Sequence, residues 1–274
     1  MKDSFFDIQY FETYYFANIV SNVLSDPYNY LGGTNEFFGE EHYFNFIEPF
    51  PKTSALHHYI KWMINTINFE DLDELDIGKI KNNSIKLWVE VAFDYYNFQY
   101  DTLDVFLLEK NKSREAIDID DVYHYMNELQ LCGPYEELLE KMSEEIFHIM
   151  FLNRKILLNF NSIISYAISQ IQVEEIEEIE DRELFSKDGR LKRVNIPTWV
   201  KNAVFHRDKG KCVLCFKDLS RLVSLSEKEN FDHIIPLAQG GINDITNIQL
   251  LCENCNKKKR DGLIGTSELY EKWY

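Results

Sequence analysis

Two Cys-x-x-Cys pairs, Cys212/Cys215 and Cys252/Cys255, bracket an Asp232-His233 pair, with Asn247 before the second pair and Asn256 directly after it. Each Cys-x-x-Cys turn lets two sulfurs approach one metal, and two such turns complete four ligands at about 2.3 Å. Thirty-six residues separate Cys215 from Cys252, room for a hairpin and its loops. Four thiolates saturate a zinc ion and leave no open coordination position. The expected Zn²⁺ is therefore structural.

Positioning the remaining polar residues falls to short elements between and beside the pairs. Phe231-Asp232-His233-Ile234-Ile235-Pro236-Leu237 reads as a strand ended by Pro236. Gly240-Gly241 allows a turn with positive φ. Asn247-Ile248-Gln249-Leu250-Leu251 reads as a second short strand, and Asn256-Lys257-Lys258-Lys259-Arg260 opens a helix. The result is strand, loop, strand, helix, with the Asp-His pair facing the helix start. Upstream, Ile196-Pro197-Thr198-Trp199-Val200 begins a short helix through Val204 and Phe205.

Three blocks together resemble the HNH endonuclease family of the ββα-metal fold. They are Val204-Phe205-x-Arg207-Asp208-x-Gly210-x-Cys212-x-x-Cys215, Asp232-His233-Ile234-Ile235-Pro236-Leu237-x-x-Gly240-Gly241, and Asn247-Ile248-Gln249-Leu250-Leu251-Cys252-x-x-Cys255-Asn256-x-x-Lys259. The resemblance covers residues 196 to about 265. It implies a small α+β domain in which His233 is the general base for phosphodiester hydrolysis, taking the proton of an attacking water. It implies that Asp232 and Asn256 hold a catalytic Mg²⁺ or Mn²⁺ at the leaving 3′ oxygen. Asn247 then fixes the loop carrying His233, and products carry 5′-phosphate and 3′-hydroxyl ends. Asn256 stands where many members have histidine; its hard oxygen suits Mg²⁺ or Mn²⁺. Its bland alternative is a helix N-cap.

The implied substrate is DNA, double-stranded in form by the same analogy, contacted through phosphate by Lys257, Lys258, Lys259, Arg260, Arg207, Lys209 and Lys211. The rival readings are a zinc-stabilised module that binds nucleic acid without cutting it and a restriction- or homing-type nuclease. A further expectation, by analogy alone, is a bacterial antiviral defence effector restrained or recruited through its N-terminal half.

That half has a different character. The net charge of −17 divides unevenly: residues 187–274 hold 16 Lys and Arg against 11 Asp and Glu, whereas residues 1–186 hold 13 against 35. A chain repelled by nucleic acid overall thus has a mildly basic last third. The expected domains are an acidic, mainly α-helical one at 1–185, a basic linker at 186–195 and the HNH domain at 196–274. Apolar spacing predicts helices over about 4–24, 53–67, 77–100, 119–131 and 134–172, with Thr53-Ser54 as an N-cap for the second. His42, His57-His58, His124 and His148 read as core or surface histidines, since no second histidine or cysteine joins any of them. The Phe and Tyr abundance reads as packing or a protein interface. Cys132 reads as a lone buried or half-buried thiol. No apolar run reaches the roughly 18 residues of a membrane span, and paired cysteines with no apparent leader fit a reducing cytoplasmic compartment.

Overall fold

The computed structural model describes residues 6–30, 37–38, 46–131, 133–170, 182–220, 229–259 and 265–272. His42, Cys132, the acidic run 173–181 and Arg260 lie outside the described residues. As expected from the sequence, the protein is mostly helical, with a small two-stranded antiparallel sheet and a helix near its C-terminal end. Two compact units are present: residues 1–20 with 57–147, and residues 21–56 with 148–274. This grouping places residues 50–56 and 154–170 with the sheet, whereas the sequence assigns them to an N-terminal helical domain ending near residue 185.

The first unit contains most of α1 (Thr13–Ser25) and α2 (Ala55–Asp73), then α3 (Ile77–Lys81), α4 (Trp88–Tyr96), α5 (Leu103–Glu109), α6 (Ile119–Gln130) and nearly all of α7 (Gly133–Met150). Phe16, Ile60, Phe93, Val122, Met126 and Leu138 form its buried interior. The first helix starts later than its apolar spacing predicts, and a buried carboxylate supplies the reason. Glu145 accepts from the Gln9 and Tyr10 backbone N–H groups at 2.9 and 3.1 Å and from the Thr13 hydroxyl at 2.9 Å, so those donors face away from a helical ladder. The helix predicted over 77–100 is two helices, separated where Asn83 adopts a left-handed φ of 58°. The predicted long helix from 134 is likewise broken, because the Asn153 side chain accepts from Lys155 N and Ile156 N and starts α8 (Arg154–Gln170) afresh.

In the second unit, β1 (Glu229–His233) pairs antiparallel with β2 (Ile248–Cys252), placing His233 opposite Ile248 and Asp232 opposite Gln249. α9 (Thr198–Arg207) packs on β2, and α10 (Glu253–Lys259) lies across both strands. The loop between the strands is held from three directions. Phe50 N donates to Asn243 O at 2.7 Å, Ala55 N donates to Asp244 Oδ2 at 3.0 Å, and Asn161 Nδ2 reaches Thr246 Oγ1 at 3.2 Å. At Ala55 a cap on α2 thus comes from Asp244, a residue far along the chain. Gly240 (φ +84°) sits so close to α8 that a Cβ there would lie 2.7 Å from Ser165 O.

His57 gives the first unit a testable pH response. Its ring stacks on Phe147 at 3.9 Å between centroids, and burial, followed by the charges of His58 and Lys61, pushes its pKa down to about 3. An unfolded histidine titrates near 6.5. Below that value the unfolded chain takes up a proton that the folded one refuses, so stability falls as pH drops from about 6.5 toward 3 and is unaffected above. Thermal midpoints between pH 7 and 4 should therefore decline, and His57→Phe, which keeps an aromatic ring but cannot titrate, should show a shallower decline.

Candidate functional site

The four predicted cysteines come together. Cys212 and Cys215 lie on the turn after α9, Cys252 ends β2, and Cys255 is in the first turn of α10. All four sulfurs lie within 4.8 Å of one another, and Cys215 Sγ is 3.7 Å from Cys252 Sγ. Sulfurs at the corners of a zinc tetrahedron with bonds of about 2.3 Å are about 3.8 Å apart. A disulfide would require about 2.05 Å. The donor set therefore fits Zn²⁺ in both chemistry and spacing. Burial, then the neighbouring Cys252 thiol, pushes the Cys255 thiol well above its ordinary range, which a bound cation would reverse. Backbone bonds tie the knuckle to the sheet: Val213 N donates to Leu250 O at 3.0 Å, and Leu250 N donates to Asp208 Oδ2 at 3.0 Å.

His233, at the end of β1, is only 2% exposed. Its Nε2 is 3.2 Å from Asn243 Oδ1, while Asn243 Nδ2 donates to Lys192 O at 2.8 Å. Since the amide nitrogen must face the carbonyl, its oxygen must face the ring. Nε2 therefore carries the hydrogen and Nδ1 the free lone pair. That Nδ1 is buried and has no hydrogen-bond partner among the described residues. An unsatisfied buried polar atom costs about 1–3 kcal/mol, so one retained beside a cleft is a mark of use. Burial, then the Arg193 charge, lowers the imidazole pKa to about 4, leaving the ring neutral at pH 7.

Asp232 presents a carboxylate beside this imidazole and carries two cationic neighbours. Lys259 Nζ, on α10, is 2.9 Å from Oδ2, and Arg193 Nη2 is 3.8 Å from Oδ1. Asn256 is half-buried on α10 and precedes Lys259 by three residues, so both side chains share one face of the helix. The Asp232 carboxylate and Asn256 amide are hard oxygen donors and fit Mg²⁺ or Mn²⁺ by their chemistry. Such an ion would share Asp232 with Lys259 and Arg193. Asn247 is fully buried; its Oδ1 accepts from Ile235 N at 2.8 Å, and its Nδ2 donates to Ile235 O at 3.0 Å and Ile242 O at 2.9 Å. It clamps the two limbs of the loop that follows His233. Gly241 is the complement of that clamp, since a Cβ there would lie 2.0 Å from Ile235 O.

The predicted phosphate contacts divide. Lys257 and Lys258 are exposed on α10, with Lys257 paired to Glu253. Lys209 and Lys211 reach the Glu271 backbone carbonyl and carboxylate, respectively. Arg207 and Lys259 are at odds with a role on the surface. Arg207 is buried in a two-bond pair with Asp208 at 2.9 Å and also donates to Ile248 O. Lys259 is 4% exposed and donates to His233 O at 2.7 Å. Both cations brace the sheet instead. Residues missing from the sequence reading are Asn243, Lys192 and Arg193. Asn243 lies two residues beyond Gly240-Gly241, but no local signal links it to residues 192–193, about fifty positions earlier.

Two measurements probe these arrangements. Elemental analysis should find one zinc per chain, and Cys255→Ser should lower both the zinc content and the thermal midpoint. In ¹⁵N spectra of the imidazole, His233 should carry its hydrogen on Nε2 at neutral pH, and Asn243→Ala should convert it to a mixture of tautomers.

Among the described residues no helix is long and apolar enough to cross a membrane. Comparison with curated proteins and with solved structures returns no match. Residues 212–262, however, match the family model described as HNH endonuclease. That span contains all four cysteines, the Asp232-His233 pair, Asn247 and Asn256, and this part of the chain is an HNH domain built around a four-cysteine cluster.

Proposed function

We propose that the HNH domain hydrolyses DNA phosphodiester bonds with the aid of Mg²⁺ or Mn²⁺. The observation that carries this reading is the buried, neutral His233, held in one tautomer with its Nδ1 lone pair unused, next in sequence to the Asp232 carboxylate. A general base must be uncharged at the working pH and within reach of the water it activates. His233 meets the first requirement by burial and lines an open cleft of about 810 Å³.

In this mechanism water attacks phosphorus as Nδ1 of His233 takes its proton. The new P–O bond forms while the bond to the 3′ oxygen breaks, and the leaving oxygen is protonated from solvent. The products are 5′-phosphate and 3′-hydroxyl ends. Asp232 and Asn256 would hold the divalent ion, which would supply positive charge at the leaving oxygen. Asn247 keeps the strand end and the loop in one geometry, and Asn243 keeps the ring from flipping.

Supercoiled plasmid incubated with Mg²⁺ or Mn²⁺ tests the reading. Nicking by the wild-type chain should fall about 10²-fold or more in His233→Ala, on the scale of general-base catalysis. Equal nicking by both proteins overturns it, and tight duplex binding without nicking favours a module that binds but does not cut.

A further inference from the structure

Beside His233 the cleft is lined by Arg193, Asn195, Lys201 and Phe231, and among the described residues no carboxylate lines it. With the nearby Asp232 already paired to Lys259, the two lining cations leave this cleft locally positive among the described residues, on a chain of net charge −17. Both cations lie outside the span that matches the HNH family model. Lys201 is exposed on the first turns of α9 and has no carboxylate within 4 Å among the described residues. Arg193 is 66% exposed and stands 3.8 Å from Asp232. That separation is too long for a hydrogen bond, and with the guanidinium largely in water the contact is weakly held. Lys259, by contrast, is fixed in the interior at 2.9 Å from the same carboxylate. Arg193 can therefore leave Asp232 for an incoming anion without uncovering the acid.

Its position relative to the base is set by the backbone. Lys192 O, one residue before Arg193, is the carbonyl to which Asn243 is anchored, and Asn243 in turn holds His233 Nε2. The stem of Arg193 thus rises from a point tied to the imidazole through a single side chain. Residue 192 is itself held, since Lys192 N donates to Leu184 O at 2.7 Å. On the far side of Pro197, which sets the start of α9, Lys201 lines the same cleft.

Resting on the proposed hydrolytic reading, we propose that this cleft is the track for the strand being cut. Arg193 grips the phosphate attacked at His233, and Lys201 grips a neighbouring one. A guanidinium matches two non-bridging phosphate oxygens with two parallel N–H groups, which an ammonium cannot do. Arg193 is then a catalytic residue whose contact strengthens as charge builds on the phosphate. Lys201 is a binding residue.

The test compares Arg193→Gln, Arg193→Lys and Lys201→Gln with the wild-type full chain, with zinc content confirming that each folds. In plasmid nicking, Arg193→Gln should lose about tenfold or more in kcat and Arg193→Lys should recover only part of it. Lys201→Gln should act mainly on KM. Binding of a fluorescent duplex without added divalent metal gives a readout that a purely structural role would not move. Each lost phosphate contact should reduce the slope of log affinity against log salt by about 0.9. Wild-type salt slopes and wild-type kcat in the Arg193 and Lys201 variants overturn the proposal. If the wild-type chain itself does not cut, the hydrolytic reading fails, while the salt slopes still decide whether this cleft is the track.

Discussion

An imidazole serves as a base near neutral pH only while it is uncharged, and the surroundings of His233 hold it in that state. Burial removes the water that would solvate an imidazolium, and the charges of Arg193 and Lys259 act in the same direction. The hydrogen bond that the ring donates to Asn243, and then the Asp232 charge, pull the other way without prevailing. A neutral ring has two tautomers, however, and only one leaves Nδ1 free. Asn243 makes that choice because its own orientation is dictated by the Lys192 carbonyl. One amide thus converts backbone geometry into the placement of a lone pair.

Around this centre the charged groups separate by depth. Arg207-Asp208 and Lys259-Asp232 are buried ion pairs with additional backbone bonds: Arg207 to Ile248 O, Asp208 from Leu250 N and Lys259 to His233 O. A buried ion pair of this kind is weak evidence for net stability, but removing one partner would leave an uncompensated charge in the interior. Their effect is to fix both strands of the sheet against α9 and α10. The cysteine cluster fixes the same strand from its other end, since Cys252 closes β2 and Cys255 opens α10. Lys201 remains outside these networks on the side of the cleft, and Arg193 meets them only through its 3.8 Å approach to Asp232.

The C-terminal elements were legible in the sequence because their signals are local. A Cys-x-x-Cys turn, a Gly-Gly bend and a short strand each need only a few consecutive residues, and the cysteines meet as their spacing implies, although β1 ends at His233, three residues before the Pro236 expected to end it. The helical class was legible for the same reason, through apolar periodicity. What escaped depends on partners distant in the chain. Glu145 draws residues 9–13 out of a helix, and Asp244 caps Ala55 from nearly two hundred positions away, whereas the break at Asn153 is a local cap that apolar periodicity does not register. Arg207 and Lys259 show the same limit in their charges. Their composition reads as a surface that would meet phosphate, but their actual partners are a neighbouring carboxylate and two strand carbonyls that only the fold supplies.

The loop between the strands also gives this unit a temporal property. Phe50, Ala55, Asn161 and Lys192 are made long before residues 242–247, yet each waits for that loop to complete a hydrogen bond. Such wide sequence separations raise contact order and delay the last steps of folding. On the ribosome, the imidazole and the carbonyl that governs its tautomer are joined only after the loop carrying Asn243 has emerged. In a nascent chain the His233 ring consequently has no partner to set its tautomer until the late residues of this unit are made.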